Sequence, residues 1–440
     1  MKKILSLFCI LAVSICLIVS CHKTEDDDVK IDVFNTESGT RNLVVVISDI
    51  HLGANLAYAE INSNLEPLKC FLEEIRVSRS VKELVINGDF LDEWFIPATV
   101  NPYNGNGQSD FVDRIANANR SVVDKINQII QERKILVTYV PGNHDLTITE
   151  ENVNRIFPGI NQSRDDDAQG LGTYSPAGLP AVAIEHGHRY NFICSPDPIS
   201  NQDIAPGTIL PPGYFYTRLA VQHSIEECTQ NIDVIPTVTP NSSGDESQAL
   251  LYGYWASWSW WLNLFPINHY FNEKLVVTHV DGFNDTCSVN DLLPYQNIAG
   301  GLIQVKLFNG IQDHWTERCL RNNVSMPITA GEALAFAASS SGTDTMAVIQ
   351  YFQNPVSDKR IVIFGHSHCA KIKSYLNRNQ QKSIYANSGT WLDHNLNGST
   401  TMNFIVITPQ SSDAASQTHV NLYNFENKIV TLMAKDSVRL

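Results

Sequence analysis

A chain of 440 residues, 43% of them hydrophobic and 18% charged, can bury a large core and is long enough for two or three domains, or for one large domain carrying an insertion. Its formal net charge of -15 leaves few cations to neutralise phosphates, which argues against a nucleic-acid duplex as partner. Acidity of this kind keeps a protein soluble, and carboxylates gathered around cations would also produce it.

The chain begins with a targeting segment. Lys2 and Lys3 precede an apolar run from Ile4 to Val19, broken only by Ser6 and Ser14, which is short for a membrane span and suits a signal peptide. The run ends in Ile18-Val19-Ser20-Cys21, which resembles the lipobox of bacterial lipoproteins. That resemblance implies removal of residues 1–20, acylation of Cys21 and attachment to a membrane through the lipid. The charged stretch from His22 to Asp28 cannot pack and reads as part of a solvated tether over residues 21–40. An acidic run at this place also resembles the surface-export signals of some Gram-negative lipoproteins. The expected location is therefore the outer membrane, facing the periplasm or the cell surface. Six later cysteines, Cys70, Cys194, Cys228, Cys287, Cys319 and Cys369, form no CxxC pair, which argues against a cysteine zinc site.

From residue 41 onward the first half alternates strand and helix. Leu43 to Ile47 is a continuous apolar, β-branched run, as a strand buried on both faces should be. Leu65 to Arg76 has helical spacing, Glu83 to Ile86 reads as a strand, and Phe111 to Glu132 repeats apolar residues at helical intervals. Ile135 to Val140 is a third strand, stopped by Pro141-Gly142, and Val182 to Glu185 a fourth. Between about residues 196 and 355 the periodicity is mixed, and the stretch reads as a cap inserted into an α/β core. Within it Leu251, Tyr254, Trp255, Trp258, Trp261, Leu262 and Phe265 follow helical spacing, either to pack a core or to form a lid over an apolar substrate or membrane interface. Arg360 to Phe364, Ser383 to Ala386, Asn403 to Thr408 and His419 to Tyr423 read as late strands. The absence of helical segments between the last of them makes part of the sheet antiparallel.

Five short motifs sit at the ends of predicted strands: Asp49-Ile50-His51, Gly88-Asp89-Phe90-Leu91-Asp92, Gly142-Asn143-His144-Asp145, His186-Gly187-His188 and Gly365-His366-Ser367-His368. Loops beyond the carboxyl ends of neighbouring strands converge in one crevice. They gather carboxylates, imidazoles and an amide in a volume where burial is costly unless cations compensate. Mixed oxygen and nitrogen ligands suit manganese, iron or zinc better than calcium or magnesium. The seven candidate ligands are Asp49, His51, Asp89, Asn143, His186, His366 and His368, too many for one open tetrahedral site and right for two divalent ions sharing a carboxylate.

In these motifs the sequence resembles the calcineurin-like metallophosphoesterase family, over residues 49 to 368 apart from the insertion. The resemblance implies an α/β fold, a two-layer mixed β-sandwich flanked by helices. It implies one metal on Asp49, His51, Asp89 and His368, and another on Asp89, Asn143, His186 and His366. His144 would lie beside the leaving group, supported by Asp145. Asp92 and His188 would orient ligands. His279 also follows a strand-like run, Val276-Val277-Thr278, and rivals His186; the fuller pattern from Glu185 to Tyr190 favours His186. Asn191 stands where some relatives carry an acid.

Two cations about 3.5–4 Å apart would acidify a bridging water, and the hydroxide would attack phosphorus in line with the departing oxygen, which His144 would protonate. Gly88 to Trp94 looks like the branch containing UDP-diacylglucosamine hydrolases, but export points to another substrate, a phosphodiester or pyrophosphate that is small or lipid-linked. A phosphomonoesterase or nucleotidase is the alternative within the class. A lipoprotein that binds metal or glycans without catalysis is the alternative outside it.

Overall fold

The computed structural model describes residues 32–440 except 37, 38, 340, 397, 399 and 414. The predicted signal segment and Cys21 lie outside the described residues. Two β-sheets face each other. The larger runs, from edge to edge, Ile429–Val438, Thr418–Glu426, Asn403–Thr408, Leu43–Ile47, Val81–Asn87, Leu136–Val140 and Asn161–Gln162. Its four N-terminal strands are parallel, and Asn403–Thr408 pairs antiparallel with Leu43–Ile47. The smaller sheet runs Lys371–Leu376, Lys382–Asn387, Ile361–Phe364 and Val182–Ile184, with Ile361–Phe364 parallel to both its neighbours.

The two-residue alternation of a strand explains the layers. Val44 and Val46 point between the sheets, where they meet Val182, Ile184, Ile361 and Ile363. Val45 and Ile47 point the other way, onto Phe71 and Ile75 of the Leu65–Val77 helix and Val122 and Ile126 of the Arg120–Glu132 helix. Both faces being covered, the strand is apolar at all five positions instead of alternating. The outer face of the smaller sheet, with Ala183, Val362 and Phe364, is covered in turn by the stretch between residues 185 and 360.

That stretch connects the neighbouring parallel strands Val182–Ile184 and Ile361–Phe364. The aromatic segment within it forms the helix Glu246–Leu264, whose stripe of Leu251, Tyr254, Trp258 and Leu262 is buried. Trp258 stacks on Tyr216 of the Pro212–Glu226 helix at 3.8 Å between ring centroids. The stripe is therefore core, and the exposed aromatic is Trp260, which falls off it. Two buried arginines brace the stretch, Arg218 against the loop that follows the Gly88–Asp92 motif and Arg318 within the stretch itself. Arg218 donates to the carbonyl oxygens of Ile96 (2.7 Å), Pro97 (2.9 Å) and Val100 (2.6 Å). Arg318 donates to those of Pro196 (2.9 Å) and Phe192 (3.0 Å). Carbonyl acceptors at a planar fork satisfy each cation in a place where an unpaired charge would be costly. Among the described residues no helix is long and apolar enough to cross a membrane.

Three elements differ from expectation. The helix predicted over Phe111 to Glu132 is two helices, Gln108–Ala118 and Arg120–Glu132. Asn119 breaks it, its side-chain amide donating to Gly53 O and Ile115 O, both at 2.9 Å. Lys371–Leu376 and Ile429–Val438 are strands that the apolar pattern does not reveal, because much of each is exposed.

Candidate metal centre

Every motif leaves the carboxyl end of its strand at the same edge of the sandwich. Strand register levels three of them: Ile47 pairs with Ile86, and Asn87 with Val140. In the smaller sheet Ile184 pairs with Ile363, so His186 and His366 emerge side by side. Asp49, His51, Asp89, His366 and His368 all have positive φ, between 49° and 65°. Non-glycine residues rarely adopt that region, and when they do they cluster at functional sites. Close approach adds its own demand. A Cβ on Gly365 would sit 2.7 Å from Asp49 Oδ2, and one on Gly88 would run into the His186 ring.

Three groups of ligand atoms result, one of them His51, Glu60, Asp92 and His144, and the other two meet at Asp89. Those of Asp49, His51, Asp89 and His368 lie within 4.8 Å of one another, and so do those of Asp89, His186 and His366. Asp89 is common to both. Its Oδ2 is 3.1 Å from His186 Nε2 and 3.6 Å from His51 Nε2, and its Oδ1 accepts from His144 N at 2.8 Å. His368 Nε2 is 3.1 Å from Asp49 Oδ1. Asn143 Oδ1 joins the group of His186 and His366, 2.7 Å from His366 Nδ1. The buried Nε2 atoms of His51 and His186 make no hydrogen bond, while the opposite nitrogens are held. His51 Nδ1 lies 3.1 Å from Asp92 Oδ2 and 3.2 Å from Glu60 Oε2, and His186 Nδ1 lies 2.9 Å from Asn87 O. An imidazole held at one nitrogen by an acceptor presents a bare lone pair at the other, as metal ligation requires.

The electrostatics fit the same purpose. Burial pushes the Asp89 carboxyl up, but the His186 and His144 imidazoles outweigh it and hold the group well below the usual range. Burial pushes His186 down, while Asp89 and Asp49 overcome it and lift the imidazole to about 9. Burial likewise opposes Glu60 and Asp92 at His51, and the carboxylates win. Buried carboxylates are thus balanced by imidazolium protons, and divalent cations would replace those protons on binding. The donor set fits two such ions.

The geometry corrects one assignment and decides between two others. Asp145 does not support His144. Its Oδ1 accepts from Gly142 N at 2.6 Å and its Oδ2 from Phe90 N at 2.8 Å and Leu91 N at 3.2 Å, so it fastens two site loops together. The carboxylate on His144 is Asp92, whose Oδ1 is 2.9 Å from His144 Nδ1. His279 is exposed beside the Val276–Val277 strand of a separate two-stranded ribbon and joins none of these ligand groups, whereas His186 does. His188 packs against His186, with ring centroids 5.4 Å apart, and its Nε2 lies 3.1 Å from Gly170 O. Sequence reading missed Glu60, which no motif surrounds, and Ser48, which donates to Asp49 Oδ2 while sharing a 2.7 Å hydrogen bond with Ser388. It also missed Trp94, which stacks on His144 at 4.8 Å.

The family described as calcineurin-like phosphoesterase matches residues 43–370. No curated protein matches the chain. Among solved structures, a Vps29 double mutant from Entamoeba histolytica is similar over 90% of this chain and 100% of its own, at 10% identity and a TM-score of 0.27.

Proposed function

The chain belongs to the calcineurin-like phosphoesterase family as a metal-dependent phosphoric ester hydrolase, and we propose that it cleaves a phosphodiester or pyrophosphate, small or lipid-linked, with two divalent ions of manganese, iron or zinc. Asp49, His51, Asp89 and His368 hold one ion; Asp89, Asn143, His186 and His366 hold the other. The observation that carries this reading is the Asp89 carboxylate between two buried imidazole nitrogens that make no hydrogen bond. When bound, the ions polarise the phosphoryl oxygens and lower the pKa of water for attack.

The protein's own groups do the rest. Asp92 and Glu60 fix the ring of His51, Asn87 fixes that of His186, and Ser48 with the His366 amide fixes the Asp49 carboxylate. Burial pushes the His144 imidazole down, but Asp92, which accepts from its Nδ1–H, outweighs this and favours the imidazolium, whose Nε2–H can pass to the departing oxygen. Trp94 holds the plane of that ring. The test is a comparison of one generic phosphodiester with the matching monoester, on protein refilled separately with manganese, iron or zinc. Faster diester turnover is expected. A monoester preference gives the phosphomonoesterase or nucleotidase reading instead, and bound metal with no turnover of either gives a binding protein.

The reading includes export as a lipoprotein anchored through Cys21, supported by the run that ends in Ile18-Val19-Ser20-Cys21. Mass spectrometry of the mature N-terminal peptide should show an acylated Cys21. An N-terminus elsewhere, or an unmodified thiol, removes the anchor.

A further inference from the structure

Asn191 follows the short turn His188–Tyr190, and the backbone orients its side-chain amide. Asn191 Oδ1 accepts from Ile193 N at 2.9 Å and from Cys194 N at 3.2 Å. Reversing the amide would set its NH2 against two N–H donors, so the oxygen stays with the backbone and Nδ2 faces His366 Nε2, 3.3 Å away. The other nitrogen of that ring, Nδ1, points to Asn143 Oδ1 at 2.7 Å, in the ligand group of Asp89 and His186.

A ring that offers Nδ1 to a cation must be bare there, and a neutral imidazole then carries its proton on Nε2. On His366 that N–H meets a second N–H donor. The contrast lies within the same centre: His51 turns its outer nitrogen to the Asp92 and Glu60 carboxylates, and His186 turns its own to the Asn87 carbonyl. Acceptors of this kind are what raise the basicity of a ligating imidazole and hold its tautomer.

We propose that Asn191 makes the site of Asp89, Asn143, His186 and His366 the weaker of the two, so that its cation exchanges readily and the level of that free cation sets how much enzyme is fully loaded. The inference rests on the ligand assignment proposed above. Asn191 is a positioning residue here, acting on the ion through His366.

The decisive variant is Asn191→Asp, which keeps an oxygen for Ile193 and Cys194 and gives His366 Nε2–H an acceptor. Metal-free wild type and variant are titrated with manganese(II) alone by calorimetry, and the spin-coupled manganese pair is followed by electron paramagnetic resonance. Two binding steps are expected in wild type. In the variant the weaker step should tighten by about 10–100-fold, the range known for outer partners of metal ligands, with the tighter step unchanged and the coupled signal complete at a lower metal ratio. An unchanged weaker step overturns the proposal. So does equal tightening of both steps, which added charge alone would cause. Asn191→Ala removes the opposing donor without adding charge and should bind the weaker ion at least as tightly as wild type. Weaker binding by Asn191→Ala would mean that the amide had turned its oxygen to His366, and the proposal fails. Wild type that takes up no manganese at all sinks the ligand assignment itself, and this inference with it.

Discussion

Asp89→Asn is expected to lose metal from both sites and to lower turnover by about 10³-fold or more. The size follows from what each ion supplies: several kcal/mol of transition-state stabilisation, where about 1.4 kcal/mol corresponds to tenfold in rate. The position makes the substitution a clean one. Asparagine has almost the same shape as aspartate and tolerates the positive φ of 49° at this residue. Its side-chain oxygen can still accept from His144 N, the bond that Asp89 Oδ1 makes at 2.8 Å. What it removes is the negative charge between His51 Nε2 and His186 Nε2. Metal analysis after dialysis, circular dichroism and steady-state kinetics form the measurement. A folded variant that keeps both ions, or that turns over as fast as wild type with one ion or none, rules out a shared carboxylate at the heart of this enzyme.

The parts of the fold legible beforehand are those whose burial leaves a mark on residue type. Leu43–Ile47 is apolar throughout because sheet covers one face and helices the other, and Asn403–Thr408 could be placed to the residue for the same reason. Lys371–Leu376 and Ile429–Val438 could not, since water on one side lets charged residues in and erases the pattern. Asn119 escaped because its role is to accommodate Gly53 across space, and helical spacing continues on both sides of it.

The candidate site shows the same division. Its ligand residues were legible because each stands at the end of a strand, next to a glycine or two residues from another ligand. Their outer partners were legible only where they fall inside a motif, as Asp92 does. Glu60 stands nine residues beyond His51, outside every motif, and its carboxylate returns to that ring through the fold. The misplacement of Asp145 has the same cause. Adjacency in sequence suggested that it serves His144, yet consecutive residues of a tight loop point in different directions. The Asp145 carboxylate turns inward to three backbone N–H groups, and the loop carrying Asp92 brings a different carboxylate to the imidazole.

That exchange of partners sharpens the role of His144. Its side chain is 12% exposed, its Nδ1 is engaged by Asp92 Oδ1 at 2.9 Å, and its ring lies against Trp94. As an imidazolium that donates Nδ1–H to Asp92, it can give a proton from Nε2 without serving as a ligand in either group that shares Asp89. His144→Ala should therefore retain both ions while losing about 10²–10⁴ in turnover of an ester with an alkoxide leaving group, the usual contribution of general acid catalysis. With a nitrophenolate leaving group, which departs without a proton, the loss should be far smaller. Nearby Asp145→Ala gives the opposite contrast, since it loosens loops that carry Asp89 and Asn143 and should impair metal retention for every substrate alike. Equal losses for both leaving groups in His144→Ala, or loss of metal from it, would mean that the imidazole positions the centre and does not protonate the departing oxygen.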